Sequence, residues 1–362
     1  VPRSPSLNAS GNIEWVEKAR SPDGDNLIIQ LELDAIDSGF GFVQQNKSSS
    51  KTDWLGLSTS SIINPDGSRN INSTVEVDPD EVFSGNSYRF KLTADDGIDT
   101  SIRTLVLNVL KPVKFDGAKM YQTDNAVDEL YEYNLSSTWD ITSKNLTNSQ
   151  NTNGIYVKGL FFKGDGSKMY QISNDGYIYE SLLSTAWDIS TASLNQTINS
   201  ADSTSKQVYF RSDGIKMYEI GGGSYKIYEH DLSTTWNIST ASVNQSIATQ
   251  DNDPTSIFFK PDGKKMYTSD ESTANIYEYN LSTEWDLSTA SLFQSVNALA
   301  SSPEGIFFRS DGKKFFEYNE ASAKIYEYEL STAWDLSTAT VNRSVDNENQ
   351  NNASGTVFFG KT

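Results

Sequence analysis

From Val113 to the C-terminus the chain repeats one pattern of apolar and polar positions. A short aromatic and β-branched run, such as IFF at 257–259, leads into Asp262-Gly263, and a second run, KMY, follows it. Two apolar runs across an Asp-Gly dipeptide predict a β-hairpin. After a variable polar loop, NIYEYNL alternates with period two, as a strand with one buried face does. The connection STEWDLSTAS then leads to a fourth run, SLFQSV, and an Asn/Ser/Asp-rich loop opens the next unit. Each unit therefore predicts four strands in about 49 residues.

Three landmarks hold this pattern in phase. Tryptophan recurs at Trp139, Trp187, Trp236, Trp285 and Trp334, at intervals of 48, 49, 49 and 49 residues. Tyr-Glu precedes each by eight residues, at Tyr131, Tyr179, Tyr228, Tyr277 and Tyr326. Asp-Gly turns recur at Asp116, Asp165, Asp213, Asp262 and Asp311. Four-stranded units repeated at this period are what a β-propeller blade requires. A helical solenoid would need continuity where these segments carry turn dipeptides, and an open β-solenoid is the competing β-architecture. The units run approximately over 113–159, 160–208, 209–257, 258–306 and 307–356, with a closing strand at 357–362. Val357–Phe359 repeats the first strand of a unit but lacks its Asp-Gly turn. It either completes the blade begun near Val113, giving five closed blades, or marks a chain that stops inside a longer array.

Residues 1–111 lack the repeat. Strand signals at NLIIQLEL, STVEVD, SYRFKLTADDG and IRTLVLNVL, separated by Gly, Pro, Asn and Asp clusters, predict a β-sandwich of about 100 residues. Lys111-Pro112 marks the boundary, because proline ends the last strand. The chain as a whole is expected to be all-β.

Composition narrows the chemistry. With 48 acidic and 29 basic residues the formal charge is −19, which argues against nucleic acid as a partner because such affinity rests on Lys and Arg. Cysteine is absent, so disulfides, thiolate metal sites and cysteine nucleophiles are excluded, and the single histidine, His230, excludes a two-histidine mechanism. No apolar run reaches the roughly 18 residues of a membrane span, so no membrane insertion is expected. The chain opens on Val1 with no charged-then-apolar leader after it, which reads as a processed chain or a piece of a longer one.

The pattern F-F-x-x-D-G-x-K-M-Y followed by I-Y-E-Y-x-L-S-T-x-W-D-[IL]-S-T-A-S resembles YVTN-type, lactonase-like β-propeller repeats. More closely, it is similar to repeats of virion structural and tail-associated proteins of marine bacteriophages and of some marine bacterial surface proteins. The stretch from Tyr88 through Val109 resembles the last two strands of bacterial and phage immunoglobulin-like and cadherin-like domains. These resemblances imply an N-terminal Ig-like β-sandwich as spacer or docking module and a propeller as binding head. The implied function is that of a non-enzymatic structural and recognition protein of a phage tail or fibre, at a virion surface or extracellular. Its implied partners are other virion or surface-assembly proteins and a host or cell-surface glycan, and a homo-oligomer follows by analogy with phage fibres. A bacterial surface adhesin or filament protein of the same build, and a lactonase-like or glycan-active propeller enzyme, are the alternatives.

No catalytic set stands out, and none is expected. The Trp-Asp and Trp-Asn pairs invite a reading as sugar platforms, yet their repetition points to architecture, as does that of the five Asp-Gly aspartates. Tyr-Glu is expected to turn one face inward and one outward, and the repeated lysine before Met-Tyr, such as Lys265, to sit at a rim or between blades. Function is expected where the units differ, in loops 199–207, 248–256, 297–304 and 346–354 and in hairpin loops 173–176 and 220–225. Asp251, Asn252 and Asp253 form the tightest acidic loop cluster and are the candidate binding residues. Calcium is the one cofactor they suggest, although no EF-hand or RTX spacing accompanies them. Asp95 and Asp96 invite the same thought, against a turn between sandwich strands. His230 stands where Tyr133, Tyr279 and Tyr328 occur and reads as a tolerated strand substitution.

Overall fold

The computed structural model describes residues 115–152, 156–173, 175–348 and 355–361 with their side chains, and the backbone of seven strands between positions 12 and 108. The chain divides into two compact units, Val1–Lys111 and Pro112–Thr362. In the first, Asn12–Ala19, Arg69–Val77 and Leu55–Ile63 form one antiparallel sheet. Phe42–Gln44, Ile28–Asp37, Ser87–Asp95 and Thr100–Asn108 form a second. The side chains and loops on which an Ig-like assignment rests, Asp95 and Asp96 among them, lie outside the described residues.

The second unit is a five-bladed β-propeller. Four blades are continuous: Val157–Phe162 to Ala192–Asn199, Ser205–Phe210 to Ala241–Ala248, Pro254–Phe259 to Ala290–Asn297, and Pro303–Phe308 to Ala339–Asp346, each a four-stranded meander. The remaining blade joins the two ends of the domain, because Val357–Gly360 pairs antiparallel with Lys119–Asp124 and so completes the sheet of Glu129–Leu135 and Lys144–Asn151. Closure by the C-terminal strand leaves no blade without two neighbours.

Strand order explains the core. In each blade the first strand lies at the axis and its two successive aromatic residues face opposite ways. The second of them, Phe162, Phe210, Phe259, Phe308 or Phe359, packs on the blade's own tryptophan with ring centroids 5.2–5.5 Å apart. The first, Phe161, Tyr209, Phe258, Phe307 or Phe358, points into the channel. These five close a ring of neighbours 5.0–5.6 Å apart whose planes turn by 66–72° at each step, near one fifth of a full turn. Aromatic side chains thus fill the axis in edge-to-face contact.

Candidate functional site at the axial mouth

The repeated landmarks are used up in holding blades together. Each tryptophan has a positive φ of 59–65° and sits over the glycine of its own Asp-Gly turn. A Cβ on Gly117, Gly166, Gly214, Gly263 or Gly312 would lie 2.2–2.4 Å from the indole, so only glycine fits beneath it. The tryptophan backbone N–H donates to that glycine's carbonyl at 2.9–3.1 Å. The next residue, Asp140, Asp188, Asn237, Asp286 or Asp335, caps a three-residue 3-10 turn with its side chain. Asp116, Asp165, Asp213, Asp262 and Asp311 each accept the backbone N–H two residues on, at 2.9–3.2 Å.

The Tyr-Glu glutamate differs from its expectation. Glu132, Glu180, Glu229, Glu278 and Glu327 are all buried, where alternation placed them outward. Burial is sustained by a partner: each pairs with the lysine before Met-Tyr or its equivalent, Lys119, Lys168, Lys216, Lys265 or Lys314. The second carboxylate oxygen of the first four accepts the N–H that opens the 3-10 turn of the next blade, from Ile189, Ile238, Leu287 and Leu336 at 2.9–3.4 Å. Beside it Tyr121, Tyr170, Tyr218 and Tyr267 donate to the next blade's tryptophan carbonyl at 2.6–2.9 Å. These polar groups satisfy one another across the four seams between consecutive blades.

The departures from the repeat gather at the opposite mouth. Each continuous blade opens its first strand with a bulge, and the residue at the bulge is Lys158, Lys206, Thr255 or Glu304, with Gly355 at the matching place before Val357. Thr255 is spent on a hydrogen bond to the Pro303 carbonyl at 2.6 Å. Lys158, Lys206 and Glu304, from three different blades, lie near enough for their charges to act on one another. Glu271 and Glu320, from the second hairpin loops of the last two blades, join them, and one carboxylate oxygen from each of Glu271, Glu304 and Glu320 lies within 4.8 Å of the others.

The electrostatics follow from that crowding. Burial raises the Glu304 carboxyl to about 8 against the opposing charges of Lys158 and Lys206, with its hydrogen bond to Glu320 and the nearby Glu271 adding to the rise. Burial lowers Lys158 below the ordinary lysine range. Burial opposes the charge of Lys206 as well, but Glu304, Asp253 and Glu271 hold it above that range. The mouth therefore offers ammonium donors, carboxylate acceptors and one carboxyl that keeps its proton at neutral pH.

Of the residues singled out in sequence, Asp253 reaches this mouth, 3.6 Å from the Lys206 ammonium. Asp251 turns away to accept from the Thr273 hydroxyl at 3.0 Å, and Asn252 is exposed. The acidic convergence is thus Glu271, Glu304 and Glu320 rather than the 251–253 loop. Sequence inspection placed Lys206 and Glu304 inside variable loops but could not join residues from separate blades. His230 is buried with Nε2 3.1 Å from the equally buried Glu219 carboxylate, which also accepts from the Ala201 and Asp202 backbone and from Ser205. It anchors the loop between the second and third blades.

No family model and no curated protein matches this chain. Among solved structures it is similar to a candidate 6-phosphogluconolactonase from Bacteroides uniformis, 13% identical with a TM-score of 0.42, over 76% of this chain and 84% of that one. It is similar also to the periplasmic gluconolactonase of Pseudomonas aeruginosa, 11% identical, TM-score 0.41, over 75% and 80%. Sqt1 of Chaetomium thermophilum is 10% identical, TM-score 0.37, over 71% and 69%.

Proposed function

We propose that this chain is a non-enzymatic structural and recognition protein of a virion appendage or cell surface, whose propeller takes a host or cell-surface glycan at the Lys158–Lys206–Glu304 mouth. The N-terminal unit, read as Ig-like, serves as spacer or docking module toward other assembly proteins or further copies of the chain. The observation that carries the reading is the segregation of chemistry: repeated polar residues are consumed in the seams, while unrepeated ones converge at a single mouth. Hydroxyl-rich ligands suit a site that mixes ammonium donors with carboxylate acceptors. The repeat resemblance supplies the virion or surface setting, with an adhesin of the same build as its neighbour. Binding of the purified protein to a panel of immobilised cell-surface oligosaccharides tests it. Lys206→Ala and Glu304→Gln should each weaken retention tenfold or more with an unchanged melting midpoint, and retention equal to that of the parent chain would reject the site.

One observation favours a second reading, a glycan-active or lactone-opening enzyme: Glu304 holds its proton to about pH 8 beside two further carboxylates, as a general acid must. Turnover of aryl glycosides or gluconolactone that disappears in Glu304→Gln would establish that reading in place of the first.

A further inference from the structure

The charges at the Lys158–Lys206–Glu304 mouth balance only while one proton stays there. Lys158 and Lys206 hold the same bulge position in the second and third blades and bring two ammonium groups to the axis. Glu304 comes to them from the last blade, and Glu271 and Glu320 complete a set in which one carboxylate oxygen of each acid lies within 4.8 Å of the others. Three ionised carboxylates against two ammonium groups would leave one negative charge over, and Glu304 is only 4% exposed, where uncompensated charge is costly. Acids this close do not all ionise together, so the cluster keeps one proton and is neutral with it. Burial and the hydrogen bond to Glu320 assign that proton to Glu304, which holds it to about pH 8. The other ionisable groups that bear on the cluster bring no positive charge. Asp253 lies 3.6 Å from Lys206 with its side chain 37% exposed, the Tyr318 phenol is pushed up by burial and stays neutral, and the buried Asp124 accepts the Ala126 N–H at 3.0 Å in its own hairpin loop.

Loss of the proton changes what the lysines do. As an acid, Glu304 donates one hydrogen bond and draws weakly on the ammonium groups, which can share their three N–H donors with the oxygens of a ligand. As a buried carboxylate it must be paired, and Lys158 and Lys206 are the cations that act on it. The flexible lysine stem lets each ammonium turn onto Glu304 with the backbone in place. We infer that the mouth is a proton-operated latch, receptive to a ligand while its carboxyl cluster holds the extra proton and closed on itself by ion pairs to Glu304 once that proton leaves. The inference rests on the reading of this mouth as the binding site and adds the regulation of that site.

The test reads the proton without any ligand. In the full chain, labelled with 13C at the glutamate carboxyls and the lysine ε carbons, NMR from pH 5 to 9.5 should show one carboxyl titrating with a midpoint near 8 and two lysine signals moving with it, below the ordinary lysine range. Glu304→Gln should remove the carboxyl step and the lysine response together. Lys206→Met takes away an opposing charge and should raise the midpoint by about one pH unit, whereas Glu271→Gln takes away a like charge and should lower it by about as much. On immobilised oligosaccharides, retention of the parent chain should then fall about tenfold for each pH unit above 8, as a requirement for one proton dictates, and the weaker retention of Glu304→Gln should not vary with pH. A carboxyl step near 8 that moves both lysines, with no retention at any pH, would reject the glycan and leave the latch standing. No carboxyl titrating above pH 6, lysines indifferent to the step, or parent retention that stays level from pH 6 to 9.5 would each overturn the latch.

Discussion

Four seams of the propeller join blades that follow one another in the chain, and the fifth brings the last blade against the first, whose sheet the C-terminal strand completes. The covalent seams share a clamp in which a tyrosine hydroxyl and a glutamate carboxylate grasp the next blade's Trp turn. At the closing seam Phe316 stands where those tyrosines do and has no hydroxyl to give. The second oxygen of Glu327 accepts no backbone N–H from the next turn but has the Arg343 Nε 3.5 Å away, and the amide contacts made elsewhere by Gln196, Gln245 and Gln294 are replaced by Arg343, whose Nη1 meets Asp140 at 2.7 Å. Trp139 is only half-buried, and it packs on Phe307, Phe316 and Phe359 as Trp285 does on Tyr209, Tyr218 and Phe259. Closure thus lacks the Tyr and Glu clamp of the other seams and uses Arg343 between Asp140 and Glu327 together with bonds from Lys144 and Tyr133 to Asp346 and Glu348, and the fifth seam is where the ring should first come apart.

The largest effect should come from removing the closing strand. Phe358 and Phe359 are fully buried, and loss of one such phenylalanine side chain alone costs about 3–5 kcal/mol. Against a whole-domain stability of about 5–15 kcal/mol, truncation after Thr356 should abolish the cooperative melt followed by near-ultraviolet circular dichroism. A truncated chain that still melts cooperatively would show that the blades hold together without closure.

Next in size are the glycines under the tryptophans. Gly263→Ala drives a Cβ to 2.3 Å from a buried Trp285 at φ +71° and should cost about 2–4 kcal/mol by overpacking and backbone strain together. Gly117→Ala makes the same approach to Trp139, but that ring is half-buried and has room to yield, so its loss should be visibly smaller. Equal losses from chemical denaturation would mean that the closing seam is as rigid as the others.

The last blade also carries a buried carboxyl with a raised pKa. Burial raises Glu317 to about 7, against hydrogen bonds from Tyr328 and Asn319 that pull the other way; of the matching residues Gln122, Gln171 and Thr268 are uncharged, and Glu219 is a carboxylate that lies against His230. A carboxyl with a folded pKa above its ordinary value of 4.5 binds more protons folded than unfolded between the two. Its contribution therefore weakens stability as pH rises from about 4.5 to 7 and levels off above that. Melting midpoints measured from pH 5 to 8 should decline less steeply in Glu317→Gln than in the parent. A parallel decline in both would remove Glu317 from the account.

What the sequence made legible follows the same division. Trp139 to Trp334 and the Asp-Gly turns betrayed the blades because the turns repeat the same contacts, whereas Val357–Phe359 offered closure as one of two readings, which its pairing with Lys119–Asp124 decides. The burial of Glu132 and its equivalents stayed hidden, since a charge on a period-two strand reads as the solvent face until its lysine and the next blade's N–H are seen. The Lys158, Lys206 and Glu304 mouth was invisible for a different reason. Its members lie at bulges in separate blades, and only ring closure brings positions 48 and 98 residues apart to one axis. Such a site has no local spacing to find.

The smallest effects sharpen the comparison most, because they test the substitution of one kind of contact for another. Tyr218→Phe removes the hydroxyl that donates to the Trp285 carbonyl at 2.6 Å and should cost about 1–2 kcal/mol, as buried hydrogen bonds left half-made do. The reciprocal change, Phe316→Tyr, offers the closing seam the missing donor and should stabilise by at most about 1 kcal/mol. Arg343→Gln restores the amide that in other blades bonds the buried glutamate and the next turn's cap, and it removes ion pairs to the part-exposed Asp140 and the buried Glu327, so its net effect should stay below about 1 kcal/mol and shrink in high salt. Urea denaturation at low and high salt separates the two ideas. If Arg343→Gln lowers the midpoint only at low salt while Tyr218→Phe lowers it equally in both, the closing seam is held electrostatically where the others are held by hydrogen bonds. If the two variants respond alike, the stacking of Trp139 on Phe307, Phe316 and Phe359 carries closure and the ion pair merely accompanies it.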